Sequence, residues 1–431
     1  MARAGPRPQH ARMAALPNPE RLPTLDILRG FALMGILIMN MPGFSYSGYT
    51  EADGSFHWPG AADQLAEQVR DALFSGKFNS MFSLLFGIGF TIQYTRMQQQ
   101  DPLHATGLYV RRLLVLLVIG LLHATLLWTG DVLHVYALLG LLLVFGLRRL
   151  SDRGVLVLMA LCLLYPLASG LLRFVVYTPE VVALRVQQDL AFGASNNAAF
   201  GAGSYADAVQ ENLRMMWRDY TDPLSAWGTF GWYVSMAFTM LLGLLAGRRR
   251  WVQRIPELMP QIRRLMWWAL AVGLVCGAAF SLIFALNRAP GPSPIKLLGS
   301  LCYNLSRPAM MVFYVLLIVR LAQLPAWQRL LAPFAAAGRM PLSNYLMQTL
   351  LCTTLFYHWG FGLWDSVGPA WGFVLSLALF FGVQVPLSLW WTRRYTRGPL
   401  EALWARLTYG RKAAAETETS PAAAGGSSGI R

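Results

Sequence analysis

The chain has 431 residues and a formal net charge of +15, and 55% of its residues are hydrophobic while only 13% are charged. Because soluble domains carry about 25% charged residues, this composition excludes an ordinary soluble protein. The cysteines lie far apart within apolar runs, which predicts neither a disulfide framework nor a metal site; they are Cys162, Cys276, Cys302 and Cys352.

Apolar residues occur in blocks close to the roughly 20 residues that cross a bilayer core of about 30 Å. Between them lie turn-forming stretches rich in Gly, Pro and Asn. The sequence therefore predicts an all-α, polytopic bundle of about ten transmembrane helices in a lipid bilayer. The predicted spans are 25–44, 72–94, 108–129, 131–147, 154–177, 226–246, 265–286, 297–319, 341–358 and 369–391.

Lys and Arg residues are concentrated in every second connection of this bundle. The short loops near residues 130, 290 and 365 contain only Arg288 and Lys296. Since short cytoplasmic loops carry the excess of basic residues, this alternation predicts that both termini are cytoplasmic. It also accounts for the positive charge without nucleic acid, and favours a multi-pass protein whose basic loops are anchored at the cytoplasmic leaflet.

These segments give five predicted regions along the chain. A basic cytoplasmic segment, 1–21, precedes a membrane half with five helices, 22–177, whose first helix is retained and not cleaved as a signal peptide. An extracytoplasmic loop, 178–225, contains an amphipathic stretch at 205–220 that is expected to lie on the membrane surface. A second five-helix half, 226–412, precedes a tail, 413–431, whose small polar residues predict disorder.

Ionisable residues inside predicted spans are costly, so each is a candidate for function. Asp26 and Arg29 lie one turn apart at the inner end of the first span. They are interpreted either as an i,i+3 ion pair or as a pair that presents Arg29 to a phosphate at the cytoplasmic mouth. Lys77, near the outer end of the second span, has either a snorkelling or a substrate-binding role.

His123 and Asp131 flank the tight turn between the third and fourth spans, near the predicted outer face. A histidine oriented by a carboxylate is the unit of a general base, which makes this pair a catalytic candidate. The alternative is that Asp131 caps a helix N-terminus while His123 is a hydrogen-bonded interior residue.

Arg307 lies about ten residues, or about 15 Å, into the eighth predicted span, too deep to snorkel. It therefore needs a partner or a polar cavity, and is a predicted substrate-binding residue. Asn344 and Gln348 are i,i+4 neighbours on the ninth span. They either form interhelical hydrogen bonds or line the same cavity as Arg307.

Several ordered motifs between about residues 22 and 412 resemble the bacterial YeiB-like membrane family. The resemblance implies a polytopic membrane protein and by itself specifies no reaction. The motifs include Leu25-Asp26-Ile27-Leu28-Arg29-Gly30, Gly76-Lys77-Phe78, Gly120-Leu121-Leu122-His123 with Gly130-Asp131, Gly338-Arg339-Met340, and Arg397-Gly398-Pro399-Leu400-Glu401.

The Leu-Asp-x-x-Arg-Gly opening is also similar to transmembrane acyltransferases of the heparan-glucosaminide acetyltransferase type. That similarity implies a cytoplasmic acyl-CoA donor, no bound cofactor, and a histidine near the outer face that acts on a glycan or lipid-linked acceptor. His57-Trp58-Pro59-Gly60 partly matches a His–Trp–Gly element of those enzymes, so His57 and His123 are both candidates for the catalytic histidine.

Three functions are consistent with a polar path through the bundle. The leading hypothesis is a transmembrane acyltransferase, with arginines at the donor side and a histidine at the acceptor side. The alternatives are a transporter of a small anionic solute and a membrane protein without catalytic activity.

Overall fold

A computed structural model describes residues 22–410, so the predicted segment 1–21 and the tail 413–431 lie outside the described residues. The described chain is all-α, with no β-strand between residues 22 and 410. Its helices are α1 (Pro23–Ser45), α2 (Ala61–Leu73), α3 (Lys77–Gln100), α4 (Ala105–Leu126), α5 (Leu133–Phe145), α6 (Asp152–Val176), α7 (Pro179–Gly201), α8 (Tyr205–Thr221), α9 (Pro223–Arg248), α10 (Ile255–Leu286), α11 (Pro294–Ala322), α12 (Pro325–Gly338), α13 (Pro341–Phe356), α14 (Pro369–Leu379), α15 (Val385–Thr392) and α16 (Pro399–Tyr409).

Each of the ten predicted spans coincides with a helix, the last being α14 and α15 joined by a π-helical segment, Phe380–Gln384. Seven of the described helices are long and apolar enough to cross a membrane. The other three predicted spans are α3, which is more polar, and the shorter helices α5 and α13 of 13 and 16 residues. The chain is therefore a multi-pass membrane protein with an all-α fold of about ten bundled helices.

The helices least enclosed by the bundle carry the most exposed apolar residues. Only 11% of the apolar window of α6 and 22% of that of α10 is buried by the rest of the protein. Large side chains such as Val157 and Val275 are 62% and 69% exposed. Apolar surface of this extent must be shielded from water. Lipid can shield it because each helix satisfies its own backbone hydrogen bonds.

The long connection at 178–225 folds into two helices, α7 and α8. The amphipathic stretch predicted at 205–220 corresponds to α8, whose first turn is closed by a capping box between Ser204 and Asp207. Trp217 on α8 is 72% exposed. Helix α7 had no counterpart among the predicted elements.

The N-terminal part of α1 packs backbone-to-backbone against the end of α12. A Cβ added at Gly30 would lie 1.9 Å from the carbonyl oxygen of Phe334, and one added at Gly338 would lie 1.8 Å from that of Asp26. Small residues allow membrane helices to approach this closely. Arg29, which precedes Gly30, and Arg339, which follows Gly338, line one cavity although 310 positions separate them in the sequence.

A chain of buried amides joins α13 to α1 and to the π-helical segment. The Gln348 amide donates to the Leu33 carbonyl at 3.0 Å and to Gln384 Oε1 at 2.9 Å, and Gln384 donates to the Asn344 carbonyl at 2.9 Å. The Asn344 amide donates to the Ser388 hydroxyl at 3.0 Å. These contacts fit the interhelical interpretation of Asn344 and Gln348; their role as substrate ligands stays a prediction.

Candidate functional site

The turn after α4 brings His123 and Asp131 together. His123 Nδ1 lies 2.8 Å from Asp131 Oδ1, and both side chains are fully buried. Trp128 in this turn donates from its indole to the Gly43 carbonyl at 3.0 Å, which anchors the turn to the end of α1. The structure thus shows the juxtaposition that the sequence spacing predicted.

The second oxygen of Asp131 begins another branch of hydrogen bonds. Asp131 Oδ2 accepts from the backbone N–H of His134 at 2.9 Å and lies 2.7 Å from His134 Nδ1. His134 Nε2 is 2.6 Å from the hydroxyl of Tyr220, which is itself in a very short contact with the Tyr233 hydroxyl. Asp131 therefore caps the start of α5 and orients His123 at the same time, so the two interpretations of Asp131 are compatible.

The other nitrogen of His123 contacts a threonine from α13. His123 Nε2 is 2.9 Å from the hydroxyl of Thr349, which is fully buried. An ionised Asp131 can only accept, so in the neutral ring Nδ1 carries the proton and Nε2 accepts from Thr349; this tautomer is assigned from the network. Asp131, His123 and Thr349 form the carboxylate–base–hydroxyl series that activates a hydroxyl group in many hydrolases and transferases.

A cavity of about 430 Å³, here called the arginine cavity, opens at the end of the bundle where α1 begins. Its residues come from α1, α3, α4, α5, α13, α16 and the adjacent connections. Five of them are cationic: Arg29, Arg96, Arg112, Arg339 and Arg397.

Positive charge dominates the arginine cavity. Arg29 pairs with Asp26 at 2.7 Å, and Arg112 stacks on the ring of Trp404 at 3.6 Å. Among the described residues, Glu401 is the one acidic residue of the lining, and it accepts hydrogen bonds from the N–H groups of Leu342 and Ser343 and from the Ser343 hydroxyl. Because these hydrogen bonds hold the Glu401 carboxylate at the start of α13, the arginines keep most of their attraction for an anionic ligand.

The far end of the arginine cavity reaches the residues that support His123. Val132, Leu133 and Tyr345 line it there. The Tyr345 hydroxyl accepts from the N–H of Val132 at 3.2 Å, and its ring lies 5.2 Å from that of His123. His123 itself does not line the cavity, so Tyr345 is the residue through which cavity and histidine meet.

His57, the second histidine candidate, belongs to a different cluster. Its Nε2 makes a very short contact with Asp365, and its ring packs between Tyr46 and Trp58. None of its contacts within the described chain involves the hydrogen-bond network of His123.

Lys77 and Arg307 are also separate from the arginine cavity. Their charged groups lie 5.6 Å and 5.5 Å from the ring centroid of Tyr303, and Arg307 borders a second cavity. Arg29 and Arg307 therefore line different cavities, and within the described chain they do not form one continuous polar path.

Comparison with known proteins identifies the family of the chain. Residues 246–411 match the family model described as a protein of unknown function (DUF418). The uncharacterized protein YxaH of Bacillus subtilis strain 168 is 31% identical over 404 residues, which cover 90% of this chain and 94% of YxaH. The uncharacterized protein YeiB of Escherichia coli K12 is 29% identical over 400 residues, 90% of this chain and 96% of YeiB. The chain therefore belongs to the YeiB-like family of membrane proteins.

Proposed function

We propose that the protein is a transmembrane acyltransferase of a bacterial inner membrane. It transfers an acyl group from a cytoplasmic acyl-CoA to a hydroxyl or amine of an extracytoplasmic glycan or lipid-linked acceptor. The observation that carries this proposal is the arginine cavity, which begins at a group of cations and ends on Tyr345, in ring contact with His123.

The cationic end of the cavity has the chemistry that a coenzyme A donor requires. Coenzyme A carries phosphates at one end and its thioester at the other. Arginine forms strong, charge-assisted and often bidentate hydrogen bonds with phosphate. A volume of about 430 Å³ lies within the range of small-molecule sites, about 300–1,000 Å³. The donor would enter with its phosphates at Arg29, Arg96 and Arg112 and its thioester directed towards Tyr345.

The histidine cluster has the chemistry that the acceptor requires. His123 Nε2 takes the proton of the acceptor hydroxyl as its oxygen attacks the thioester carbonyl, and Asp131 stabilises the imidazolium that forms. The carbon–sulfur bond breaks, and the coenzyme A thiolate recovers the proton from His123. The Thr349 hydroxyl, hydrogen-bonded to Nε2 in this structure, positions the ring of His123 until the acceptor hydroxyl replaces it at Nε2.

The direct test uses the full chain in nanodiscs and radiolabelled acetyl-CoA. We expect saturable binding at micromolar concentrations, competed by coenzyme A and weaker with dephospho-coenzyme A, which lacks one phosphate. An absence of binding at millimolar acetyl-CoA would contradict the proposal.

A second candidate, transport of a small anionic solute, is favoured by the separate cavity at Arg307. Flux of an anion into proteoliposomes that is lost in Arg307→Ala, together with an absence of acyl-CoA binding, would support transport. Acyl-CoA binding without flux would support acyl transfer.

A further inference from the structure

A second cavity, here called the Arg307 cavity, has a volume of about 530 Å³ and lies between α6, α9, α10 and α11. It extends from the loop at Gly291–Ser293 down to Arg307, and shares no lining residue with the arginine cavity. Within residues 22–410, its lining includes three cations, Arg173, Lys296 and Arg307, and no Asp or Glu. The proposed acyl transfer makes no use of it.

Arg307 is a buried cation without a counter-charge. It lies in the middle of α11 and is 8% exposed, and its Nε has no hydrogen-bond partner among the described residues. No carboxylate of the described chain pairs with it; its contact is with the ring of Tyr303. A charge at this depth is costly unless a partner satisfies it, so the arrangement favours an anion in the cavity.

Lys77 adds to the positive field behind Arg307. Its side chain is fully buried, and its Nζ donates to the backbone carbonyl of Asp71 at 2.6 Å. The carboxylate of Asp71 is itself paired with Arg70 at 3.1 Å. Two buried cations therefore lie near one tyrosine ring, and the carboxylate of Asp71 pairs with a third cation, Arg70.

The part of the Arg307 cavity near the loop at Gly291–Ser293 is lined by both cations and aromatic rings. Arg173 lies 5.8 Å from the ring centroid of Trp227, and Lys296 donates to the carbonyls of Ala289 and Gly291. Two of its walls come from α6 and α10, the helices with the least buried apolar windows. A ligand from the surrounding lipid therefore has a short route to the cavity, and its apolar part would contact aromatic side chains.

We propose that the Arg307 cavity binds the phosphate headgroup of an anionic amphiphile. The phosphate pairs with Arg307, and the apolar chain lies along the aromatic wall towards the lipid. This site does not depend on the proposed acyl transfer.

The ligand chemistry is tested by thermal unfolding of the delipidated full chain in detergent. We expect phosphatidylglycerol to raise the Tm, and phosphatidylcholine and glycerol 1-phosphate at equal concentration to leave it unchanged. Equal stabilisation by phosphatidylcholine would show that charge is irrelevant. Equal stabilisation by glycerol 1-phosphate would show that the apolar chain contributes nothing. Either result would overturn the proposal.

The assignment to Arg307 is tested with Arg307→Met, which retains apolar volume without the charge. Because the variant removes an uncompensated charge, we expect the lipid-free protein to unfold at the same temperature or higher, with the apparent affinity for phosphatidylglycerol reduced at least tenfold. Arg264→Gln, at an exposed arginine on α10, is the matched control and should respond as the wild type does.

A purely structural role for Arg307 predicts the opposite pattern, namely a lower Tm with and without lipid and an unchanged lipid response. Should Arg307→Met fail to fold, that loss itself points to such a structural role. Arg173→Gln, at the mouth of the cavity, then decides: a phosphatidylglycerol affinity weakened about threefold supports the site, and an unchanged affinity overturns it.

Discussion

His123 Nε2 and the hydroxyl of Thr349 are 2.9 Å apart, although the two residues are separated by 226 positions in the sequence. With Asp131 on its other nitrogen, the ring of His123 is held from both sides in an interior that water does not reach. A histidine fixed in one orientation and one tautomer is preorganised for proton transfer, which also makes its replacement easy to interpret.

His123→Ala should lower acyl transfer by about 100-fold to 10,000-fold, the usual contribution of a general base. The measurement is release of coenzyme A from acetyl-CoA by inverted membrane vesicles that contain the protein. His57→Ala is the comparison, because His57 lies in a separate cluster with Asp365. The reverse outcome, activity lost with His57→Ala and kept with His123→Ala, would assign the base to His57.

Thr349→Val removes the hydroxyl and keeps the shape of the side chain. We expect kcat to fall about tenfold with the KM for acetyl-CoA unchanged, because Thr349 positions His123 without touching the donor. Thr349→Ser should behave as the wild type. A radiolabelled acyl group retained on the denatured wild-type chain and absent from Thr349→Val would instead identify Thr349 as a nucleophile.

Arg96→Gln tests the donor site without breaking an ion pair, since Arg96 lines the arginine cavity and has no carboxylate partner in the described chain. Loss of a charge-assisted hydrogen bond of about 1.4 kcal/mol should weaken coenzyme A binding about tenfold. The difference in affinity between the variant and the wild type should be smaller at high salt. Titration calorimetry measures the affinity for coenzyme A and its dependence on salt. Arg264→Gln, at an exposed arginine, serves as the control. Equal affinities in the two variants would exclude Arg96 from the site.

Gly338→Ala should destabilise the protein by about 2 kcal/mol or more, because the new methyl group would lie 1.8 Å from the carbonyl oxygen of Asp26 and would force α12 away from α1. Gly107→Ala on α4 is a matched control with nothing within 4 Å of the added atom. It should change stability by less than about 1 kcal/mol, and in the favourable direction. Similar Tm values for the two variants would contradict the packing described for α1 and α12.

Glu401 lies on α16, outside the membrane-spanning helices, and burial raises its pKa above the ordinary value of 4.5 although bonds from Ser343 and Leu342 lower it. The folded state then holds the proton more tightly than the unfolded state. The contribution of Glu401 to stability is therefore greatest at low pH, and is lost as pH rises from about 4.5 through the raised pKa.

Glu401→Gln should remove this dependence. The Tm of the variant relative to that of the wild type is expected to increase as the pH rises through this window and to level off above it. A constant difference between the two proteins from pH 4.5 upwards would show that Glu401 does not titrate in this way.

The membrane bundle could be predicted from the sequence because an apolar block of about 20 residues has few alternatives to a spanning helix. The same argument is weaker for helices that are short or less apolar. Helix α5 has only 13 residues, and α3 is more polar than most of the other predicted spans. Helix α7 carries no strong apolar periodicity, so the sequence predicted only a loop there.

The site could be predicted only where its residues are close in sequence. His123 and Asp131 flank one turn, and Asp26 and Arg29 share one helical turn, so spacing alone relates them. Thr349 reaches His123 through the packing of α13 on α4, which no local pattern encodes. The separation of Arg307 from Arg29 likewise depends on the order of the helices around the bundle. The depth of a residue in the membrane does not reveal that order.

The contacts of α1 also constrain the order in which the protein is made. Helix α1 is synthesised before the other described helices, yet the Leu33 carbonyl receives its hydrogen bond from Gln348, and Gly30 contacts α12. Both partners belong to the region 246–411 that defines the family match. During synthesis α1 therefore stays in the bilayer without these partners until α12 and α13 have been inserted, so the matched region is only part of one folding unit and would not assemble natively by itself.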